Sequence, residues 1–183
     1  MYQWIIFSVA SLIILAISWK SLQQPGSHGF YRFFAWEAIV ALFVMNVPVW
    51  FDKPTSWHQT ISWVLLVICF IPLAFGVYSL RTRGKTAEQR EGEPSLMAFE
   101  KTTALVTSGI YHYIRHPLYS SLFFLAWGIF FKLPSLLGMI LALVATVFLV
   151  ATAKADEGEC TRFFGPPYQE YMKTTRMFVQ YIF

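Results

Sequence analysis

Charge is what this 183-residue chain has least of. Asp, Glu, Lys and Arg make up 13% of it, against about 25% in soluble domains. So few ionic groups cannot clothe a water-facing surface, and the 56% of apolar residues must meet lipid. Cysteine is nearly missing. Cys69 lies in an apolar run and Cys160 in a polar segment, so the two sit at different depths and no disulfide is expected. The four histidines, His28, His58, His112 and His116, form no H-E-x-x-H, and no metal site is expected. No G-x-G-x-x-G follows a strand, which removes support for a soluble dinucleotide fold. Arg83-Gly84-Lys85-Thr86 ends like a phosphate loop, but Ser79 stands where the motif needs its first Gly. The net charge of +4 resides in loops, where it sets topology and attracts anionic lipid rather than nucleic acid. The first apolar segment has no basic stretch before it and is read as a membrane helix, not a cleaved leader.

Aromatic residues are abundant, with seven Trp, nine Tyr and eighteen Phe. Trp and Tyr suit the two interfaces and Phe the lipid-facing body. Five apolar stretches stand out: Trp4–Trp19, Phe33–Phe51, Ile61–Leu80, Leu118–Phe131 and Ser135–Ala153. A span takes about 20 residues. The fourth stretch is shorter, and either tilts or forms a hairpin with the fifth through Lys132-Leu133-Pro134. Pro48 and Pro72 should bend or end their helices. The pattern predicts an all-α polytopic membrane protein of about five transmembrane helices. We read it as a single domain, with residues 1–80 forming a three-helix part and residues 81–183 the part that carries the chemistry. With the N-terminus outside, every Lys and Arg except Lys53 and Lys132 falls on the cytoplasmic side. That asymmetry puts the C-terminus inside. The Gly-, Glu- and Arg-rich segment Thr82–Pro94 is expected to be mobile. The tail from Lys154 is expected to form two short helices broken at Gly165-Pro166-Pro167. The second carries Tyr168, Tyr171, Met172 and Met177 among charges, as an amphipathic helix on the membrane or over a pocket would.

The string Leu105-Val106-Thr107-Ser108-Gly109-Ile110-Tyr111-His112-Tyr113-Ile114-Arg115-His116-Pro117-Leu118-Tyr119 concentrates polar and cationic groups at a membrane surface. Such a cluster is costly unless it binds something. Pro117 suits the first position of a helix, which puts His116 near the N-cap, where an anion is favoured. Tyr119 lies in the first turn, and Gly109 permits tight packing before Tyr111. After the fifth stretch come Asp156, Glu157 and Glu159. They suit an ammonium group, or ordinary pairing with Lys154 and Arg162. Short connections bring the cationic and anionic clusters to one membrane face, where a zwitterion would match both. Glu37, at membrane depth, is a candidate for holding a headgroup, or else pairs with Arg32 or Arg81. Asn46 is expected to bond a neighbouring helix.

The Leu-Val-Thr-Ser-Gly-Ile-Tyr…Arg-His-Pro-Leu-Tyr string, then Asp156-Glu157, then Phe164-Gly165-Pro166-Pro167-Tyr168-Gln169-Glu170-Tyr171, resembles the isoprenylcysteine carboxyl methyltransferase and phospholipid methyltransferase superfamily. The resemblance covers Leu105 to Tyr171. It implies a membrane enzyme that uses S-adenosylmethionine, releases S-adenosylhomocysteine, and roofs its cofactor pocket with the C-terminal tail. Gly109, Tyr111, His116, Pro117, Tyr119, Asp156, Glu157, Phe164 and Tyr168 would then bind the cofactor. His116 and Tyr119 would take its carboxylate end, and the acidic pair its amine. Arg115 and Glu37 are the candidates for roles toward the reacting acceptor, with His112 or Glu37 as base and Arg81 or Arg115 orienting an anion. The acceptor would be lipophilic and enter from the bilayer. Prenylcysteine enzymes tend to have His two residues before Leu-Val-Thr, and Thr103 stands there. Phospholipid, amine or small-thiol methylation therefore stays open. So do an NADPH-dependent sterol reductase, whose motif lacks the proline found at Pro117, and a non-catalytic lipid-binding protein.

Overall fold

The computed structural model describes residues 2–84 and 102–179. The expected mobile segment therefore lies largely outside the described residues. Seven α-helices follow in order: α1 (Tyr2–Leu22), α2 (His28–Asn46), α3 (Trp57–Ile68), α4 (Phe70–Arg83), α5 (Pro117–Phe130), α6 (Leu136–Phe164) and α7 (Pro166–Thr174). Local chemistry sets their ends. Ser27 Oγ accepts from the Phe30 amide at 3.1 Å and starts α2. Ser135 Oγ accepts from the Gly138 amide at 3.1 Å and starts α6. Pro48 lies in the short 3-10 turn that ends α2. Pro72 cannot donate to the helix ladder, and the chain breaks at Cys69 just before it, splitting α3 from α4. Gly165, at φ 66°, stops α6 in a conformation that favours glycine.

Four helical stretches are long and apolar enough to cross a bilayer: Tyr2–Leu22, His28–Val49, Trp57–Arg83 and Leu136–Phe164. The shorter apolar helix Pro117–Phe130 is α5, matching the undersized fourth stretch. One expectation changes. The first part of the tail is not a separate short helix, because α6 runs unbroken through Lys154 to Phe164. Nothing interrupts its ladder before Gly165, so Asp156, Glu157 and Glu159 ride on a rigid extension of a membrane helix.

The core lies where α2, α3, α5 and α6 meet, around Ala38, Ile39, Leu42, Leu66, Ala126, Ile129, Phe130, Ala142 and Ala145. Small residues let these backbones approach. A Cβ on Gly128 would stand 2.9 Å from Leu66 Cδ2, so α5 and α3 touch there with no room for a side chain. Helix α1 is the most peripheral, with 11% of its apolar window buried in the protein, and lipid must cover the rest. Asn46 does not reach another helix. Its amide donates to the Leu42 carbonyl, one turn back on α2, at 2.9 Å. Neither cysteine forms a disulfide.

The helix ends sort by charge. At one end Lys132, fully buried, donates to Gln59 Oε1 at 3.0 Å and lies 3.3 Å from the Trp63 ring centroid. Burial pulls its pKa below the ordinary lysine value. The opposite end gathers the start of α2, the loop before α5 and the end of α6.

Candidate functional site

At that second end the tail lies along the loop preceding α5. The Arg115 amide donates to the Arg176 carbonyl at 2.7 Å, the His116 amide to Met177 at 3.1 Å, and the Arg176 amide to Tyr113 at 3.2 Å. Helix α7 folds back over the loop, and the Tyr171 hydroxyl donates to the Tyr111 carbonyl at 2.6 Å. Beneath α7 is a cavity of about 100 Å³ lined by Tyr111, Arg115, His116, Pro117, Tyr119, Asp156, Cys160, Phe164, Tyr168 and Tyr171, with Leu80, Thr102, Leu105, Val106 and Leu118. Burial pushes the Tyr168 and Tyr171 hydroxyls well above the usual phenol range, so both stay neutral donors.

His116 is the hinge of the charge arrangement. Its side chain is 4% exposed, with Nδ1 3.4 Å from Asp156 and Nε2 3.4 Å from Glu157. Its ring stacks on Tyr119 at 5.4 Å. The Tyr119 hydroxyl donates to Asp156 Oδ2 at 3.3 Å, and Cys160 Sγ lies 3.6 Å from Oδ1. Burial alone would lower the His116 pKa, but hydrogen bonding and charge from Asp156 and Glu157 hold it above the ordinary 6.5. A folded-state pKa above the unfolded value means that the folded protein binds the proton more tightly. This contribution to stability is complete below about pH 6.5 and fades as pH rises through the elevated value. Thermal unfolding is therefore expected to give a midpoint that falls as pH rises above about 6.5, with a shallower fall in His116→Gln. Equal slopes in the two proteins would refute the assignment.

Arg115 borders the cavity, yet most of its donors are committed. Nε pairs with Glu157 Oε1 at 2.7 Å, and an Nη donates to the carbonyls of Met172, at 3.2 Å, and of Thr175. Its evident work is to fasten the tail, which its sequence position beside His116 did not reveal. Glu157 thus stands behind the cavity wall, held by Arg115 and His116. Gly109 and His112 lie outside this cavity, on an open groove of about 600 Å³ between α4 and the loop. Gly109 takes φ +68°, and a Cβ there would meet Arg83 and Ser79 at 2.9 Å, so its task is close packing. Glu37 is not brought to the cavity either. It lies two residues from the fully buried Ala35, about 200° around the helix. That turns its carboxylate toward α1, where Oε2 accepts from the Ser11 hydroxyl at 2.6 Å instead of pairing with Arg32 or Arg81.

One pairing went unforeseen. Glu159 does not pair with Arg162 but takes the His28 amide at 3.0 Å and the His28 ring Nδ1, tying the start of α2 to α6 behind Asp156. His28, Asp156 and Glu159 bring potential ligand atoms within 4.8 Å of one another. Within that group His28 and Glu159 pair directly. No sequence signal links residues 131 apart.

Residues 90–165 match the phospholipid methyltransferase family. The chain is 25% identical over 123 residues to a methanethiol S-methyltransferase of Crocosphaera subtropica, covering 67% of this chain and 44% of that protein. It is 36% identical over 74 residues to a protein-S-isoprenylcysteine O-methyltransferase of Schizosaccharomyces pombe, covering 40% of this chain and 31% of that protein. The chain thus spans less than half the length of these curated relatives. No solved structure matches it. The matched segment carries the Arg-His-Pro-x-Tyr string and the acidic pair that the structure joins through His116. On motif, membrane architecture and relatives together, this site-bearing part of the chain is similar to the phospholipid and isoprenylcysteine carboxyl methyltransferases.

Proposed function

We propose that the chain catalyses methyl transfer from S-adenosylmethionine to a lipophilic acceptor, in the manner of isoprenylcysteine carboxyl methylation. One observation carries this reading. His116 and Tyr119 from the start of α5 converge with Asp156 from the end of α6 on the wall of a single cavity. That donor set fits the cofactor's amino-acid end, since carboxylates suit its ammonium and the His116 imidazolium with the Tyr119 hydroxyl suits its carboxylate. Phe164 and Tyr168, stacked at 6.4 Å, offer aromatic faces to a cation. When bound, the cofactor supplies an electrophilic methyl group on a sulfonium. The protein's contribution is alignment and exclusion of water, and α7 with its buried tyrosines is the water barrier. The cavity of about 100 Å³ is below the roughly 300 Å³ at which drug-sized sites begin.

The two bases expected from sequence, Glu37 and His112, both lie off this cavity. That favours an acceptor already nucleophilic without losing a proton, such as a carboxylate, over an amine or neutral thiol. By the charge asymmetry of the loops, the cavity end is cytoplasmic. Purified protein in detergent and in nanodiscs is expected to bind S-adenosylhomocysteine by isothermal titration, and to label a lipid-extract component from methyl-labelled cofactor. Absence of S-adenosylhomocysteine binding in both environments overturns the proposal.

A further inference from the structure

The loop before α5 has two faces. Val106, Tyr111, Arg115 and His116 line the cofactor cavity, while Thr107, Ser108, Gly109, Ile110, His112 and Tyr113 line the open groove of about 600 Å³. The two spaces share no lining residue. The opposite wall of the groove is Ile71 and Phe75 of α4. These are 52% and 57% exposed and belong to Trp57–Arg83, a stretch long and apolar enough to cross a bilayer. Lipid must cover them, so the groove opens onto the bilayer. Phe75 and Ile71 precede Arg83 by eight and twelve residues, about 12 and 18 Å along the helix. The groove thus has a charged rim above an apolar wall, the order in which a phospholipid presents its headgroup and chain. At the rim the Arg83 guanidinium lies against Gly109 and donates to the Ser108 hydroxyl at 2.7 Å. Among the described residues no carboxylate pairs with Arg83, and Ser108 is a neutral acceptor that leaves its charge uncompensated. His112 and Tyr113 are both exposed on the same space, and a tyrosine suits the headgroup level. A guanidinium fork fits a phosphodiester, and the groove lining carries no acidic group to repel one.

We propose that this groove docks one anionic phospholipid of the surrounding bilayer, and that Arg83 selects its charge. An acyl chain lies along Ile71 and Phe75, and the phosphate meets Arg83 beside Ser108. The occupant is a lipid rather than a soluble anion because the apolar wall belongs to a membrane-spanning helix and gives a water-soluble phosphate nothing to bury against. The inference stands on the groove and its charge, and does not depend on methyl transfer.

The test uses the full chain in phosphatidylcholine nanodiscs. The probes are phosphatidylglycerol and phosphatidylcholine carrying the same diazirine-bearing acyl chain. Both have the phosphate, but phosphatidylcholine cancels it with an ammonium. Photolabelled positions are mapped by mass spectrometry. Phosphatidylglycerol is expected to label residues 71–83 and 107–113 about fivefold more than phosphatidylcholine, the worth of one cationic side chain at a membrane surface. Arg83→Gln should bring the two probes to parity there, and Arg83→Lys should keep part of the preference. Labelling of α1, which lines no part of the groove, should keep its wild-type ratio in both variants, and an unchanged thermal midpoint shows that they fold. Equal labelling by the two probes at the groove of the wild type overturns the inference, and that comparison needs no variant to fold. An undiminished preference in Arg83→Gln also overturns it. So does a preference of the same size on α1, which marks a general lipid annulus instead of a site.

Discussion

His116→Ala is expected to abolish S-adenosylhomocysteine binding and to destabilise the protein by about 2–3 kcal/mol at neutral pH. The argument is electrostatic. The His116 ring stands 3.4 Å from each of two carboxylates that are mostly buried. Removing one partner of a buried pair typically costs about 3–5 kcal/mol, because the remaining charge is stranded. Arg115 still neutralises Glu157 at 2.7 Å, so Asp156 is the group left exposed to the full effect, and the lower figure applies. Loss of the stack on Tyr119 adds to it and removes the contact that fixes the Tyr119 ring. Isothermal titration measures binding, and thermal unfolding with size-exclusion chromatography shows that the variant still folds. Wild-type affinity in a folded His116→Ala protein would remove the proposed cofactor site.

Arg115→Ala should act on the tail more than on the core. In one step it removes the nearer of the two partners of Glu157 and the donor to the Met172 and Thr175 carbonyls. Helix α7 then keeps the Tyr171–Tyr111 bond and the backbone bonds of Arg176 and Met177, and loses its charged anchor. Trypsin cleavage after Lys173 and Arg176 is expected to accelerate about tenfold to a hundredfold, since cutting follows the open population. Arg115→Lys should rescue only in part, because one ammonium cannot serve a carboxylate and two carbonyls in the fork geometry of a guanidinium. An unchanged cleavage rate in Arg115→Ala would show that the tail is held by other contacts. The two variants share Glu157, so their costs should not add.

The proposed site depends on a helix that continues where the apolar pattern stops. Apolar periodicity marks α6 up to Ala153, but its last turns carry Asp156, Glu157 and Glu159 beyond the apolar run to meet His116 and His28. Because α6 is unbroken to Gly165, the acidic groups inherit the position of a membrane helix rather than the freedom of a tail. The same extension lets α7 turn back sharply at Gly165 and lie over the cavity.

By itself the sequence determined the solvent, the number of apolar helices, their breaks at Pro48, Pro72 and Gly165, and the two strings that carry the resemblance. These follow from local composition, hydropathy and backbone chemistry, which act over a turn or two of helix. Tertiary structure alone decided which charges meet. It turned Glu37 toward Ser11, spent Arg115 on the tail, paired His28 with Glu159, and set Arg83 at the rim of an open groove. Those outcomes depend on the rotational phase of each helix and on contacts between residues far apart in the chain. A rotation of about 100° per residue moves a side chain from one neighbour to another while leaving the sequence pattern unchanged.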